Sequence, residues 1–291
     1  MTITILDGSM GQELIKRGGS SPTPLWGLHV MMQNPDIVSA IHDDYFASGA
    51  TIATTNTYNA LRDRLANNDI EDQFEALNVM GCQLAAKARD RAGHGQVAGA
   101  LGPIGASYRP DLMPSVERGA EIYEELARIQ APYVDLFIAE TVASTDHARA
   151  AIMGAGTFGK PIWIAVTVAD DDGTRLRSGE PVQDIIGVVA EYAPDALLVN
   201  CSTPEAVTTA MGELSGCPLP LGAYANGFRN IDAGFLAHNP TVDALTARTD
   251  LGPEAYANFA EDWIATGATI IGGCCEVGPA HIRELVRRFA K

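Results

Sequence analysis

A (β/α)8 barrel of the α/β class, a TIM barrel built as a single domain over residues 1–291, is the fold expected from this sequence. Three observations carry that expectation. Eight short apolar runs recur along the chain, and stretches with a helical period follow them. Several runs are apolar throughout rather than alternating, as parallel strands covered on both faces must be. No low-complexity linker and no solenoid-type repeat divides the chain, and one barrel-sized domain accounts for the length. An open doubly wound sheet is the alternative that shares this alternation.

The strands are expected at Ile3–Asp7, Ala50–Thr57, Gln96–Pro103, Val134–Thr141, Pro161–Val168, Ala196–Ser202, Leu219–Asn226 and Ala268–Cys275. The first helix of the alternation runs from Pro35, suited to a first turn, to Ser48, and stops at Gly49. Glu71–Ala92 places Phe74, Leu77, Val79, Leu84 and Ala88 broadly on one side. Val116–Gln130, Thr145–Ala155, Val182–Tyr192, Pro204–Leu214, Glu254–Thr266 and Pro279–Ala290 complete the set. Two connections are long, 8–34 and 227–253. In a barrel such loops lie on the catalytic face, and the second, rich in Gly, Asn and Asp, is expected to be the more mobile.

A formal net charge of −16 and the lack of any Lys/Arg run argue against nucleic acid and anionic membranes as partners. The N-terminal residues carry no basic region or long apolar core of a signal peptide, and no run approaches a membrane span. Five cysteines, an odd number, point to the reducing cytoplasm and to free or metal-bound thiols rather than disulfides.

The carboxyl ends of barrel strands converge on one mouth. Here they carry Asp7, Thr55-Asn56, Gly102, Glu140, Thr167, Asn200-Cys201, Asn226 and Cys274-Cys275. The last pair follows Gly272-Gly273, where the backbone can turn and approach another group closely. Cys201 ends the sixth strand and Cys274 and Cys275 end the eighth, roughly 10 Å away across one intervening strand. Two readings stand side by side. Three buried cysteines can be inert core sulfur. Alternatively, three thiolates around one soft cation leave a fourth position open, the pattern of a reactive zinc site. Such a site suits a substrate thiol, which metal binding deprotonates at neutral pH, so thiol alkylation is the reaction class it supports. Cys82 and Cys217 fall within or after helices and are read as structural.

Asp7 and Glu140 can both reach the mouth, where paired carboxylates bind an ammonium group or do acid–base work, or else cap loops. Gly8, Ser9, Met10 and Gly11 offer backbone N–H groups at a helix start, a seat for a carboxylate. Together with a thiol seat, these describe an amino acid bearing a thiol.

The residues Asp7-Gly8-Ser9-Met10-Gly11, Gly102-Pro103, Glu140-Thr141, Asn200-Cys201, Tyr224-Ala225-Asn226 and Gly272-Gly273-Cys274-Cys275 resemble, in order, the homocysteine S-methyltransferase family. The resemblance implies a (β/α)8 barrel with zinc held by Cys201, Cys274 and Cys275. It also implies homocysteine bound through sulfur, with Asp7 and Glu140 near its amino group and Gly8, Ser9, Met10, Asn200 and Asn226 among its contacts, and a product, methionine. Trp26, Asn56 and Tyr58 are candidate contacts for the methyl donor. Where betaine-using members carry aromatics this chain has Asn59 and Thr141. Pro24-Leu25-Trp26 through Asn34-Pro35, and Ser178-Gly179-Glu180-Pro181, are more similar to the stand-alone users of S-methylmethionine or S-adenosylmethionine. The family often has Pro where this chain has Ala225, and a small or basic residue where it has Glu276. Betaine or dimethylsulfoniopropionate as donor, a homocysteine-binding subunit serving a corrinoid- or folate-binding partner protein, and an ordinary barrel lyase or isomerase without zinc are the rival expectations.

Overall fold

The computed structural model describes residues 2–18, 25, 27–231, 236 and 245–290. Strands β1 (Thr4–Ile5), β2 (Ile52–Thr54), β3 (Gln96–Leu101), β4 (Leu136–Val142), β5 (Ile162–Val166), β6 (Ala196–Asn200), β7 (Leu221–Tyr224) and β8 (Ala268–Ile271) pair in parallel, in the order β1-β8-β7-β6-β5-β4-β3-β2. The remaining seam, between β1 and β2, is held by a single bridge from Leu6 to Ile52. Two backbone hydrogen bonds flank it, Thr51 N–H to Ile5 (2.8 Å) and Asp7 N–H to Ile52 (3.0 Å). The ring is thereby nearly closed, and the open-sheet alternative is excluded.

Around it lie α3 (Pro35–Ala47), α5 (Phe74–Ala92), α6 (Val116–Gln130), α7 (Thr145–Ala155), α8 (Ile185–Tyr192), α9 (Pro204–Glu213), α10 (Pro253–Ala265) and α11 (Pro279–Phe289), each where a helix is expected. Local chemistry sets their starts: Ser115, Ser144 and Thr203 accept from the backbone N–H three residues on, and Pro opens α3, α9, α10 and α11. The connection 8–34 holds α1 (Met10–Gly18), which starts where a helix start is expected, and a second helix, α2 (Gly27–Gln33), which is not expected. A further short helix, α4 (Arg62–Ala66), follows β2. Residues 232–235 and 237–244 of the second long connection, including the part expected to move, lie outside the described residues.

Most strands are shorter at their carboxyl ends than the apolar runs imply. At the mouth the chain leaves the ladder so that polar residues can bond to side chains and to neighbouring loops. Below it, alternate residues point inward and form an apolar plug: Leu6, Ile52, Ala98, Leu136, Ile138, Ala165, Ala196, Leu198, Tyr224 and Ile270. On β4 that period of two runs from Leu136 through Ile138 to Glu140, which lifts a carboxylate to the mouth. The opposite faces of the strands pack against the helices in a larger core that contains Trp263 and Tyr256, both fully buried. Filling that core with side chains of this size stabilises the fold by about 1.5–3 kcal/mol each. Among the described residues, no helix is long and apolar enough to cross a membrane.

Tyr256 of α10 also binds the end of β7 to the end of β8. Its hydroxyl accepts from the Ala225 N–H (3.0 Å) and donates to the Gly272 carbonyl (2.7 Å). Proline at 225 would remove that donor, so this bond requires a residue that keeps its backbone N–H. Tyr256→Phe should lower the unfolding free energy by about 1–3 kcal/mol, since it leaves a buried N–H and carbonyl unpaired. A shift of the urea midpoint, with the slope unchanged, measures it.

Candidate metal and substrate site

Backbone hydrogen bonds between three adjacent loop starts set the thiols in place. Cys201 N–H donates to Tyr224 (3.2 Å), Asn226 N–H to Ser202 (3.0 Å), Cys274 N–H to Ala225 (3.0 Å) and Gly227 N–H to Cys275 (2.8 Å). The β7 end is thus the strap between β6 and β8. A Cβ on Gly272 would lie 2.5 Å from Leu6 Cβ, and one on Gly273 2.1 Å from Val277 Cγ1. The two glycines therefore let the thiol turn pack against β1 and against its own return. As a result the sulfurs of Cys201, Cys274 and Cys275 all lie within 4.8 Å of one another, with Cys201 and Cys275 4.0 Å apart.

This convergence requires unusual backbone. Tyr108, Thr141, Cys201 and Glu276 all have φ between 48° and 65°, a region that side-chain-bearing residues seldom occupy. All four lie at this mouth, where strain of roughly 1–3 kcal/mol per residue is maintained by the surrounding packing. Glu276, whose role the sequence leaves open, ion-pairs with Lys16 of α1 (3.0 Å) and ties the thiol turn to the first-loop helix.

The electrostatics separate the three sulfurs. Cys201 is held well below the ordinary thiol range because Cys274, Cys275 and Tyr108 donate to it. Cys274 and Cys275 are pushed well above it, chiefly because each keeps its proton to donate to Cys201, with burial adding to the shift. Three thiols this close, one buried and two partly so, ionise together most readily when a cation joins them. Tetrahedral zinc–sulfur bonds of about 2.3 Å would space the sulfurs ~3.8 Å apart, close to the 4.0 Å between Cys201 and Cys275. The donor set fits a soft, thiophilic ion and leaves one corner to the cavity.

Above the sulfurs is a cavity of ≈ 120 Å³, lined by Asp7, Gly8, Ser9, Met10, Asn56, Tyr58, Glu140 and the three cysteines, among others. Both oxygens of Asp7 accept from Thr54, from its N–H (2.8 Å) and its hydroxyl (3.0 Å). Glu140 accepts from the Tyr224 hydroxyl (3.0 Å). Burial outweighs these bonds and raises Asp7 to about 7 and Glu140, with Asp7 and Cys201 nearby, to about 8. Ser9, which also lines the cavity, caps α1 by accepting from Gln12 N–H (3.2 Å). The Met10 and Gly11 N–H groups, in the first turn, have no intrahelical acceptor.

Two expected contacts lie elsewhere. Asn200 is fully buried behind Thr141, accepting from its N–H (3.1 Å) and so bracing that strained residue. Asn226 is buried too, and its Oδ1 accepts from Phe228 N–H (3.0 Å). Neither lines the cavity. Trp26 lies outside the described residues. Tyr58 reaches the cavity, but Arg64 lies over its ring (5.4 Å to the centroid) and its hydroxyl pairs with Ser107 (2.8 Å). Tyr108, from the loop after β3, is a lining residue that sequence reasoning missed, as nothing in its local pattern marks it. Cys82 and Cys217 pack into the core as expected, and burial pushes the Cys82 thiol up to about 12.

Over residues 4–289 the chain matches the family model described as homocysteine S-methyltransferase. It is 32% identical to the homocysteine S-methyltransferase of Escherichia coli, over 98% of this chain and 95% of that protein. Identity to the homocysteine S-methyltransferase YbgG of Bacillus subtilis is 27%, over 97% and 93%. Among solved structures, the metallated form of the E. coli homocysteine methyltransferase MmuM superimposes with a TM-score of 0.83 at 30% identity, covering 99% of this chain and 96% of that one. The barrel, the thiol cluster at its mouth and these full-length matches lead to one conclusion: the chain belongs to the homocysteine S-methyltransferase family.

Proposed function

We propose that Cys201, Cys274 and Cys275 hold zinc and that the enzyme moves a methyl group from a sulfonium donor, S-methylmethionine or S-adenosylmethionine, to homocysteine, forming methionine. The observation that carries this reading is the convergence of three thiols at a cavity that two carboxylates and a helix start also line. When bound, zinc supplies the charge that keeps the substrate sulfur deprotonated at neutral pH. The chain's own residues do the positioning. Asp7 and Glu140 pair with the ammonium group, and the Met10 and Gly11 N–H groups at the α1 start receive the carboxylate. Fixing both ends of a short amino acid leaves its sulfur directed at the thiols. Transfer then breaks the donor's carbon–sulfur bond, whose electron pair remains on the donor as a neutral thioether, while the homocysteine sulfur forms the new bond.

Among the described residues, the donor side counts against a betaine cage. Betaine recognition calls for open aromatic faces, the best seats for such a cation. Here Arg64 covers a face of Tyr58 and Arg177 a face of Tyr108, while Asn59 and Thr141 supply no ring. The reaction is a step of methionine biosynthesis, and the free thiols suit the reducing cytoplasm.

Cys201→Ser should lower zinc below about one per chain and reduce methionine formation by more than about a hundredfold, read by metal analysis and product assay. Full zinc and full activity in that variant would overturn the assignment. Given S-methylmethionine, S-adenosylmethionine, betaine and dimethylsulfoniopropionate in parallel, the enzyme should turn over with one or both of the first two. Turnover with betaine alone would refute the donor reading. A pH dependence also follows. Asp7, at about 7, and Glu140, at about 8, must both be ionised to hold an ammonium group. Homocysteine affinity should therefore weaken as pH falls through 8 and then 7, by up to about tenfold per unit for each group. Binding at pH 7 should release protons, and calorimetry in buffers of different ionisation enthalpy counts them.

A further inference from the structure

The proposed reaction sets four sulfurs of similar chemistry within one small site. Only the substrate's sulfur is to accept the methyl group. Of the protein sulfurs that line the cavity, Cys201 is the one that accepts a bond from a side-chain hydroxyl, so it is the one whose part in the competing reaction the structure bears on. In that side reaction the donor's methyl–sulfur bond breaks and its electron pair stays on the donor, which becomes a neutral thioether. A lone pair of Cys201 forms the new carbon–sulfur bond, and the thiolate becomes a neutral thioether with no proton moved. The site would lose a ligand permanently.

Cys201 has one partner suited to preventing this. The Tyr108 hydroxyl donates to Cys201 Sγ at 3.2 Å, and both residues are buried. Among the described residues, no hydroxyl makes the corresponding bond to Cys274 or Cys275. Charge-assisted hydrogen bonds of this kind draw electron density away from the acceptor and are roughly twice as strong as neutral ones. Tyr108 is also rigidly placed. Its φ of 62° is one that a bulky residue keeps only when packing enforces it. The Arg177 guanidinium lies 5.0 Å over its ring, and Arg177 is paired with Asp170 at 3.0 Å, both groups largely buried. Asp170 in turn accepts from Thr203 N–H (3.0 Å) and Ile231 N–H (2.8 Å). The hydroxyl is thus braced from the loops after β3, β5, β6 and β7. Such a construction exceeds what filling space beside a cysteine requires.

Building on the methyl-transfer reading of the same site, we propose that Tyr108 is a selectivity residue, whose hydrogen bond to Cys201 Sγ withdraws that sulfur from competition for the methyl electrophile and confines transfer to the substrate thiol. Methyl iodide tests this without involving the donor site. Wild type, Tyr108→Phe and Arg177→Met, each with zinc content measured, are exposed to it without homocysteine, and methylation at each cysteine is followed by peptide mass spectrometry. Tyr108→Phe should methylate Cys201 about tenfold faster than wild type, equivalent to ~1.4 kcal/mol, with Cys274 and Cys275 unchanged. Arg177→Met, which keeps the hydroxyl but loses its brace, should show a smaller rise confined to Cys201. An unchanged Cys201 rate in Tyr108→Phe, or an equal rise at all three cysteines, overturns the proposal. Should Tyr108→Phe fail to fold, an unchanged Cys201 rate in Arg177→Met does the same. Wild-type methionine formation is assayed separately, so failure of the enzymatic reading is distinguishable from failure of this one.

Discussion

Three sulfur atoms gathered within 4.8 Å, Cys201 buried and Cys274 and Cys275 partly so, impose the constraint to which the rest of this mouth conforms. Buried thiols repel a second negative charge among themselves, so they neither stay fully ionised alone nor serve chemistry as neutral groups. Their proximity and softness suit a shared, thiophilic cation. That proximity demands a backbone that delivers two residues from one strand and one from another two places along the ring. The β7 end meets that demand through hydrogen bonds to both sides, and Tyr256 locks it from behind. The positive φ values at Cys201 and Glu276 are the local cost of bringing the sulfurs round.

The remaining polar groups are arranged in tiers around that point. Asp7 and Glu140 line the same cavity, raised toward neutrality by burial, and in the proposed function they become charged against an ammonium group. The α1 start offers donors of the opposite character, and the Lys16–Glu276 pair couples α1 to the thiol turn. A substrate recognised at both ends has its sulfur directed by geometry rather than by any contact to the sulfur's own side chain. Orientation of this kind supplies much of the advantage of a bound reaction over one in solution.

How much of this was legible in the chain depended on how local the signal was. Glu140 was readable because a period of two from Leu136 carries it to the mouth. Cys274 and Cys275 were readable because two glycines and a pair of thiols end an apolar run. Helices α6 and α7 occur where the sequence places them, since their caps and apolar faces are encoded within a few residues. Asn200 and Asn226 show the limit. Each stands at a strand end beside site residues, yet each turns into the protein to hold backbone, and strand position alone cannot distinguish the two orientations.

By itself, then, the sequence determined the alternation of strands and helices, the mouth at which the polar ends meet, and the thiols and carboxylates available there. These follow from periodicity and residue chemistry, which are written along one dimension. Only the tertiary structure decided that Tyr108 donates to Cys201, that Arg64 and Arg177 cover the cavity tyrosines, and that Ala225 keeps an N–H in use. Apart from Arg64 and Tyr58, which meet within one connection, these facts join residues separated by 31 to 93 positions, on elements whose meeting depends on barrel closure. No local propensity encodes which side chains will face each other across a closed ring.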